Sequence, residues 1–233
     1  VFFPERIASI EPGYRVLEIG PGATPFARSD AFLELRYETD AQQLAQNGYA
    51  GFLKTEKPVH FYDGRDFPFA DKTFDYVICS HVLEHVPDVP FFLSELMRVA
   101  KSGYLEFPTF YYDYLYGIEE HLNLLYFDGK TIQWASKTET DILKWYQVQK
   151  FFRRTLENGY ERLVRDHAPW FVHGFEWRDE IRALHNPEIF QLNVELPAIH
   201  RISDIPQPVV QKQPGLTSFL DPLRTVYHKW SKK

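Results

Sequence analysis

Residues 16–22, Val-Leu-Glu-Ile-Gly-Pro-Gly, constrain the fold more than any other stretch of the chain. Val16, Leu17 and Ile19 form a short apolar run that stops at a glycine-rich turn, as a buried parallel strand does beneath a ligand site. Gly20 and Gly22 have no Cβ, so the backbone can bend sharply and a ligand can lie against it. Glu18 delivers a carboxylate to the rim of that turn, which suits a ligand carrying donors, such as an ammonium group or a ribose. A dinucleotide turn, Gly-x-Gly-x-x-Gly, needs a third glycine where this chain has Pro25, which argues against nicotinamide chemistry.

The same arrangement recurs downstream. Residues 31–37 read as a second strand with Glu34, Glu38 and Asp40 near its end, any of which could accept from ribose hydroxyls. Residues 59–62 make a third strand that ends at Asp63-Gly64, where a carboxylate and a backbone N–H suit an adenine edge. Residues 73–80 are rich in β-branched and aromatic side chains and lead into Ser80 and His81. Pro87 breaks the chain, Asp88 caps a helix over 89–99, Gly103 stops it, and a fifth strand begins at Tyr104. Strand and helix thus alternate, which predicts a parallel sheet with its crevice at the strands' carboxyl ends.

The formal net charge of −6 argues against a broad basic face for nucleic acid. The single cysteine, Cys79, lies in an apolar run and reads as a core residue of a reducing compartment. No apolar run reaches membrane-spanning length and residues 1–6 lack a signal pattern, so the chain reads as cytoplasmic, without a membrane partner.

These residues together make the first half similar to class I S-adenosylmethionine-dependent methyltransferases of the small-molecule type. Four blocks carry the resemblance over about residues 14–108: the glycine turn, the run from Asp63 to Ile78, Ser80-His-Val-Leu-Glu-His-Val-Pro-Asp88, and Glu95-Leu-Met-Arg-Val-Ala-Lys-Ser-Gly103. The resemblance implies an α/β fold: a doubly wound, mostly parallel, seven-stranded Rossmann-like sheet with a hairpin and helical lid inserted after strand 5. It implies that Glu18 and the backbone of Gly20, Pro21 and Gly22 hold the methionine part of S-adenosylmethionine. A carboxylate after the second strand, with Glu34 favoured over Glu38, would take the ribose. Asp63 and Gly64 would recognise adenine, and Ser80 and His81 would lie under the sulfonium. The domain would cover residues 1–200, with a cofactor half at 14–108 and an acceptor insertion at 109–185, before a proline-containing tail at 201–233.

Methyl transfer needs an aligned nucleophile and, for a hydroxyl or amine acceptor, a base. His81, Glu84 and His85 follow the fourth strand and Glu119, Glu120 and His121 follow the fifth, which makes His85 and His121 the catalytic candidates. The acceptor class is a small or sugar-containing (glycan-type) molecule. The leading reading assigns no metal. Two alternatives stand beside it. One is a metal-assisted ribose or sugar O-methyltransferase using Glu84, His85 and either His121 or His173, since His81-x-x-Glu84-His85 also resembles a metal motif of small-RNA ribose methyltransferases. The other is a cofactor-binding scaffold without turnover. The aromatic tract at 110–116 is open to three readings: an acceptor wall or lid, a homodimer contact, or core. Asp128-Gly129 marks a hairpin, 141–163 a long helical stretch, 175–184 a helical continuation, and 190–196 a half-exposed closing strand.

Overall fold

The computed structural model describes residues 1–22, 24–36, 53–155 and 166–191. Four short parallel strands come first: β1 (Val16–Ile19), β2 (Ala31–Leu35), β3 (Val59–Tyr62) and β4 (Phe74–Ser80). Helix α1 (Val89–Val99) runs straight into β5 (Ala100–Pro108). An insertion follows, with α2 (Phe110–Tyr116), β6 (Asn123–Phe127), β7 (Ile132–Ser136) and α3 (Tyr146–Thr155). The short helix α4 (Ala168–Phe171) leads into β8 (Val172–Arg178), and β9 (Ala183–His185) comes last.

The main sheet has the order β3-β2-β1-β4-β5-β8, with β8 antiparallel to β5 and every other pair parallel. The order reverses between β1 and β4, and a crevice opens beyond the carboxyl ends of strands at such a switch point. The expectation was seven strands; the described residues build six. β8 runs antiparallel along β5, residues 192–196 of the closing strand expected at 190–196 lie outside the described residues, and the helical continuation expected at 175–184 is replaced by β8 and β9. His173 to Trp177 can pair along the open edge of β5, and that ladder satisfies backbone groups a surface helix would have satisfied internally. Residues from 192 onward, including the tail at 201–233, lie outside the described residues.

One core fills the face covered by α1, where Leu17, Leu33, Val77 and Leu105 meet Leu93 and Leu96. The other face, with Val16, Tyr76, Ile78 and Tyr104, is covered by Ile7, Ile10, Tyr14 and Phe26. Asp88 caps α1 by accepting from the Phe91 N–H at 3.0 Å. Arg98, near the end of α1, donates to Glu95 and to the carbonyls of Phe67 and Phe69, locking the segment after β3 onto the helix. The hairpin β6–β7 forms around Asp128-Gly129 as expected, and β9 adds to it in parallel to make a second, three-stranded sheet. No helix among the described residues is long and apolar enough to cross a membrane.

Gly103 is not a helix stop but lies inside β5, opposite Val77. A Cβ there would collide with the Val77 carbonyl oxygen and come within 2.8 Å of Val77 Cγ1. Gly103→Ala is therefore expected to cost about 2 kcal/mol through overpacking, a fall in melting temperature of roughly 4–8 °C for a chain of this size. Thermal circular dichroism reads it, and an unchanged transition would refute the close approach of β4 and β5.

Candidate functional site

The carboxyl ends of β1, β2, β3 and β4 bring the sequence candidates to one edge of the sheet. Gly20 and Gly22 both have left-handed backbones, φ +59° and +60°, and a Cβ on Gly20 would come within 2.8 Å of Val82, just after β4. The turn is thus pressed against the β4 loop, and only glycine allows both the bend and the contact. Among the described residues no helix forms between β1 and β2. Glu18 holds that loop rather than the rim. Its carboxylate is 3% exposed and accepts from the Phe26 N–H at 2.9 Å and the Ser29 hydroxyl at 2.7 Å. Burial raises its pKa even so. The exposed carboxylate expected beside the glycines is turned inward because a loop without a helix needs another acceptor for its N–H groups.

Glu34 is the carboxylate that remains for a ligand. It lies on β2 beside Gly20, whose N–H bonds the Leu33 carbonyl at 2.9 Å. No donor among the described residues reaches it, and burial, with Glu18 adding repulsion, pushes its pKa up to about 7. Glu38 and Asp40 lie outside the described residues. Asp63 is exposed at the end of β3, accepting from the Arg65 N–H at 3.3 Å, and Gly64 takes φ +93° in the turn that follows.

Ser80 and His81 end β4 over a buried carboxylate that sequence reasoning passed over, Glu106 of β5. Glu106 accepts from the Ser80 hydroxyl at 2.6 Å, the Tyr104 hydroxyl at 2.7 Å and the N–H groups of Phe2 and Phe3. His81 takes a left-handed backbone, φ +57°, unusual outside glycine. Its ring lies 3.5 Å from an oxygen of Glu84 and 3.5 Å from one of Glu106. Burial opposes charge on His81, but Glu106 and Glu84 prevail and raise its pKa to about 9. His81 is a cation at neutral pH between two carboxylates.

The second group of candidates also converges. Leu83–His85 forms one 3-10 turn whose carbonyls are capped from the insertion: Leu122 N–H bonds the Glu84 carbonyl at 2.7 Å, and Asn123 Nδ2 bonds the Leu83 and Val86 carbonyls. This strap sets the His85 and His121 rings 4.9 Å apart at near right angles. His85 Nδ1 bonds the Glu120 carbonyl at 2.9 Å, and His121 Nδ1 bonds the Asp113 carboxylate at 2.9 Å. Burial lowers the pKa of His85, against the pull of Glu84. Asp113 also pairs with Lys137 at 3.0 Å, and these contacts outweigh burial in lowering its pKa. His173 does not join the group. Its Nδ1 accepts from the Phe127 N–H at 3.1 Å on the hairpin. Glu119 pairs with Arg153.

Asp113 was legible only as the one charged residue of the aromatic tract, Phe-Tyr-Tyr-Asp-Tyr-Leu-Tyr. That tract is α2. Phe110 and Tyr114 pack with Leu124, Ile142 and Phe190 in a core of their own, and so turn Asp113 toward His121. Beside the histidines an open groove of about 980 Å³ is lined by Pro87, His121, Leu122, Trp134, Lys137 and Leu143, among others.

The raised pKa of Glu34 carries a sign. The folded state holds this proton more tightly than the unfolded chain, whose ordinary value is 4.5. Its contribution is therefore full below that value and is lost as pH rises through about 7. Glu34→Gln is expected to gain about 2–3 kcal/mol over the wild type at pH 8 compared with pH 4. Urea unfolding at both pH values reads this; equal differences at both would refute a strained Glu34.

A protein-family model described as a methyltransferase domain matches residues 17–105. A sterol methyltransferase-like protein of Botryococcus braunii is 31% identical over 106 residues, covering 42% of this chain and 27% of that protein. A demethylmenaquinone methyltransferase of Corynebacterium urealyticum is 31% identical over 102 residues, 42% of each chain. Ajmaline N-methyltransferase of Rauvolfia serpentina is 40% identical over 63 residues, covering 26% of this chain and 21% of that one. The chain thus spans less than half the length of these curated relatives. Among solved structures, an S-adenosylmethionine-dependent methyltransferase of Mesorhizobium loti overlaps 75% of this chain and 95% of its own at 11% identity and TM-score 0.40. The match falls on β1 through β5, the half that ends in the glycine turn, Glu34, Asp63 and Ser80. Over residues 17–105 the chain is thus similar to methyltransferase domains.

Proposed function

We propose that the protein transfers the methyl group of S-adenosylmethionine to an oxygen or nitrogen of a small-molecule or sugar-containing acceptor. The observation that carries this reading is Glu34: a mostly buried carboxylate without a donor among the described residues, one strand from a glycine turn that leaves its backbone open. Two ribose hydroxyls supply the donors it lacks. The Asp63 carboxylate and Gly64 N–H suit the amine and ring nitrogen of adenine, and the Gly20–Gly22 backbone suits the methionine part. S-adenosylmethionine itself supplies an electrophilic methyl on a sulfonium. Under it, His81 with Glu84 and Glu106 sums to one negative charge, so the rim attracts a sulfonium despite its histidine.

The relatives are named for sterol-like, demethylmenaquinone and ajmaline methylation, which supports a small acceptor. The groove beside His121 offers such a molecule the apolar faces of Leu122, Trp134 and Leu143 with a few polar groups. His85 and His121 have their Nδ1 atoms committed, which fixes each ring and leaves Nε2 for the acceptor side.

Calorimetric titration with S-adenosylmethionine and with NAD tests the cofactor site. One equivalent of S-adenosylmethionine is expected to bind, at least tenfold more weakly in Glu34→Ala and Asp63→Ala, a loss of about 1.4 kcal/mol. NAD is expected not to bind. A folded wild type that binds neither ligand sinks the reading. With an acceptor found, kcat/KM is expected to fall as pH drops through a value below 6.5, the ordinary histidine value from which burial displaces His85. A rate independent of pH down to 4 would remove His85 from proton transfer.

A further inference from the structure

Glu84 meets His81 and His85 only at ion-pair distance and accepts no hydrogen bond among the described residues. It is 1% exposed, and neither of its carboxylate oxygens has a hydrogen-bond partner among the described residues. The nearest nitrogens, His81 Nδ1 at 3.5 Å and His85 Nε2 at 3.9 Å, are too distant or misaligned to bond it. A buried carboxylate with both oxygens bare is costly, and buried charges are normally paired or coordinate metals.

Three ligand atoms, one each from Glu84, His85 and His121, lie within 4.8 Å of one another. Both histidines are oriented as metal ligands are. The Nδ1 of His85 is held by the Glu120 carbonyl and that of His121 by the Asp113 carboxylate, so each presents Nε2 to the shared space. The Asp113–His121 pair has the form of a carboxylate–histidine–metal relay, and Lys137 anchors the carboxylate from its other side. Ligands about 2.1 Å from a tetrahedral ion lie about 3.4 Å apart, so modest inward movement would seat one. His81 lies between Glu84 and Glu106, at 3.5 Å from each, and His173 on β8 accepts from the Phe127 N–H, so neither completes the set.

We propose that Glu84, His85 and His121 bind a single divalent transition-metal ion of the zinc class, with an open position toward the groove. Two imidazoles and one carboxylate suit zinc or cobalt and disfavour magnesium and calcium, which take oxygen ligands. The groove supplies the entry path, since His121 lines it. The inference stands apart from methyl transfer, because it concerns ion binding alone. In the loaded protein the two Nε2 atoms would be ligands, so the His85 pH dependence given above applies to the metal-free protein.

The test uses the whole chain, stripped with chelator, and follows Co(II) binding by visible absorption, then displacement by Zn(II). One Co(II) per chain is expected, with d–d bands of four- or five-coordinate intensity that one equivalent of Zn(II) abolishes. Glu84→Gln and His121→Gln, near-isosteric changes whose folding is checked by circular dichroism, are expected to lose the bands. Asp113→Asn is expected to weaken binding about ten- to a hundredfold while leaving the band positions, and His173→Gln to change nothing. Absence of stoichiometric Co(II) in the folded wild type overturns the site, as does binding that survives in both folded ligand variants. Because the readout is metal binding, its failure leaves the S-adenosylmethionine titration untouched.

Discussion

Four leucines and the glutamates that follow them organise this structure. Leu17, Leu33, Leu83 and Leu105 all enter one hydrophobic core, and each is followed by a glutamate: Glu18, Glu34, Glu84 and Glu106. In a strand, successive side chains point to opposite faces, so burying the leucine of β1, β2 or β5 commits the next carboxylate to the other side of the sheet. Near a strand's carboxyl end that side is the edge of the crevice. Hydrophobic burial therefore places the charges, and the charges then require partners.

Each carboxylate meets that requirement differently, and the differences define the roles. Glu18 is consumed by its own loop. Glu106 is surrounded by hydroxyls, backbone N–H groups and the His81 cation, which makes it a fixed part of the scaffold. Glu34 and Glu84 are the two that accept no hydrogen bond among the described residues, one beside the glycine turn and one beside a pair of oriented histidines. Unsatisfied buried charge is expensive. The structure concentrates that expense at two places along a single rim, the proposed ribose position and the proposed metal position.

The insertion after β5 is what turns a cofactor-binding sheet into a more elaborate site. Its aromatic residues build a separate small core, and that core holds α2 so that Asp113 faces inward. Asn123 and the Leu122 N–H then strap the turn carrying Glu84 and His85. An aromatic tract that looked like a candidate pocket wall serves chiefly as the support of a buried carboxylate.

The sequence by itself determined where the first four strands of this protein lie. The apolar runs, glycine turn, Asp88 cap and Asp128-Gly129 hairpin are local signals, read within a few residues; they place β1 to β4 and the hairpin, whereas β5 begins at Ala100, before Gly103. It also singled out the histidines near 81–85 and at 121, since polar side chains follow strand ends there, and the structure brings His85 and His121 together. Only the tertiary structure decided that Glu18 turns inward, that β8 closes the sheet, that His121 rather than His173 meets Glu84, and that Asp113 and Glu106 support the site. Those outcomes depend on contacts between residues far apart in the chain, such as the 100-residue span of the Tyr76–Glu176 hydrogen bond. No local pattern encodes which distant partner satisfies a buried charge; close packing of the finished core makes that choice.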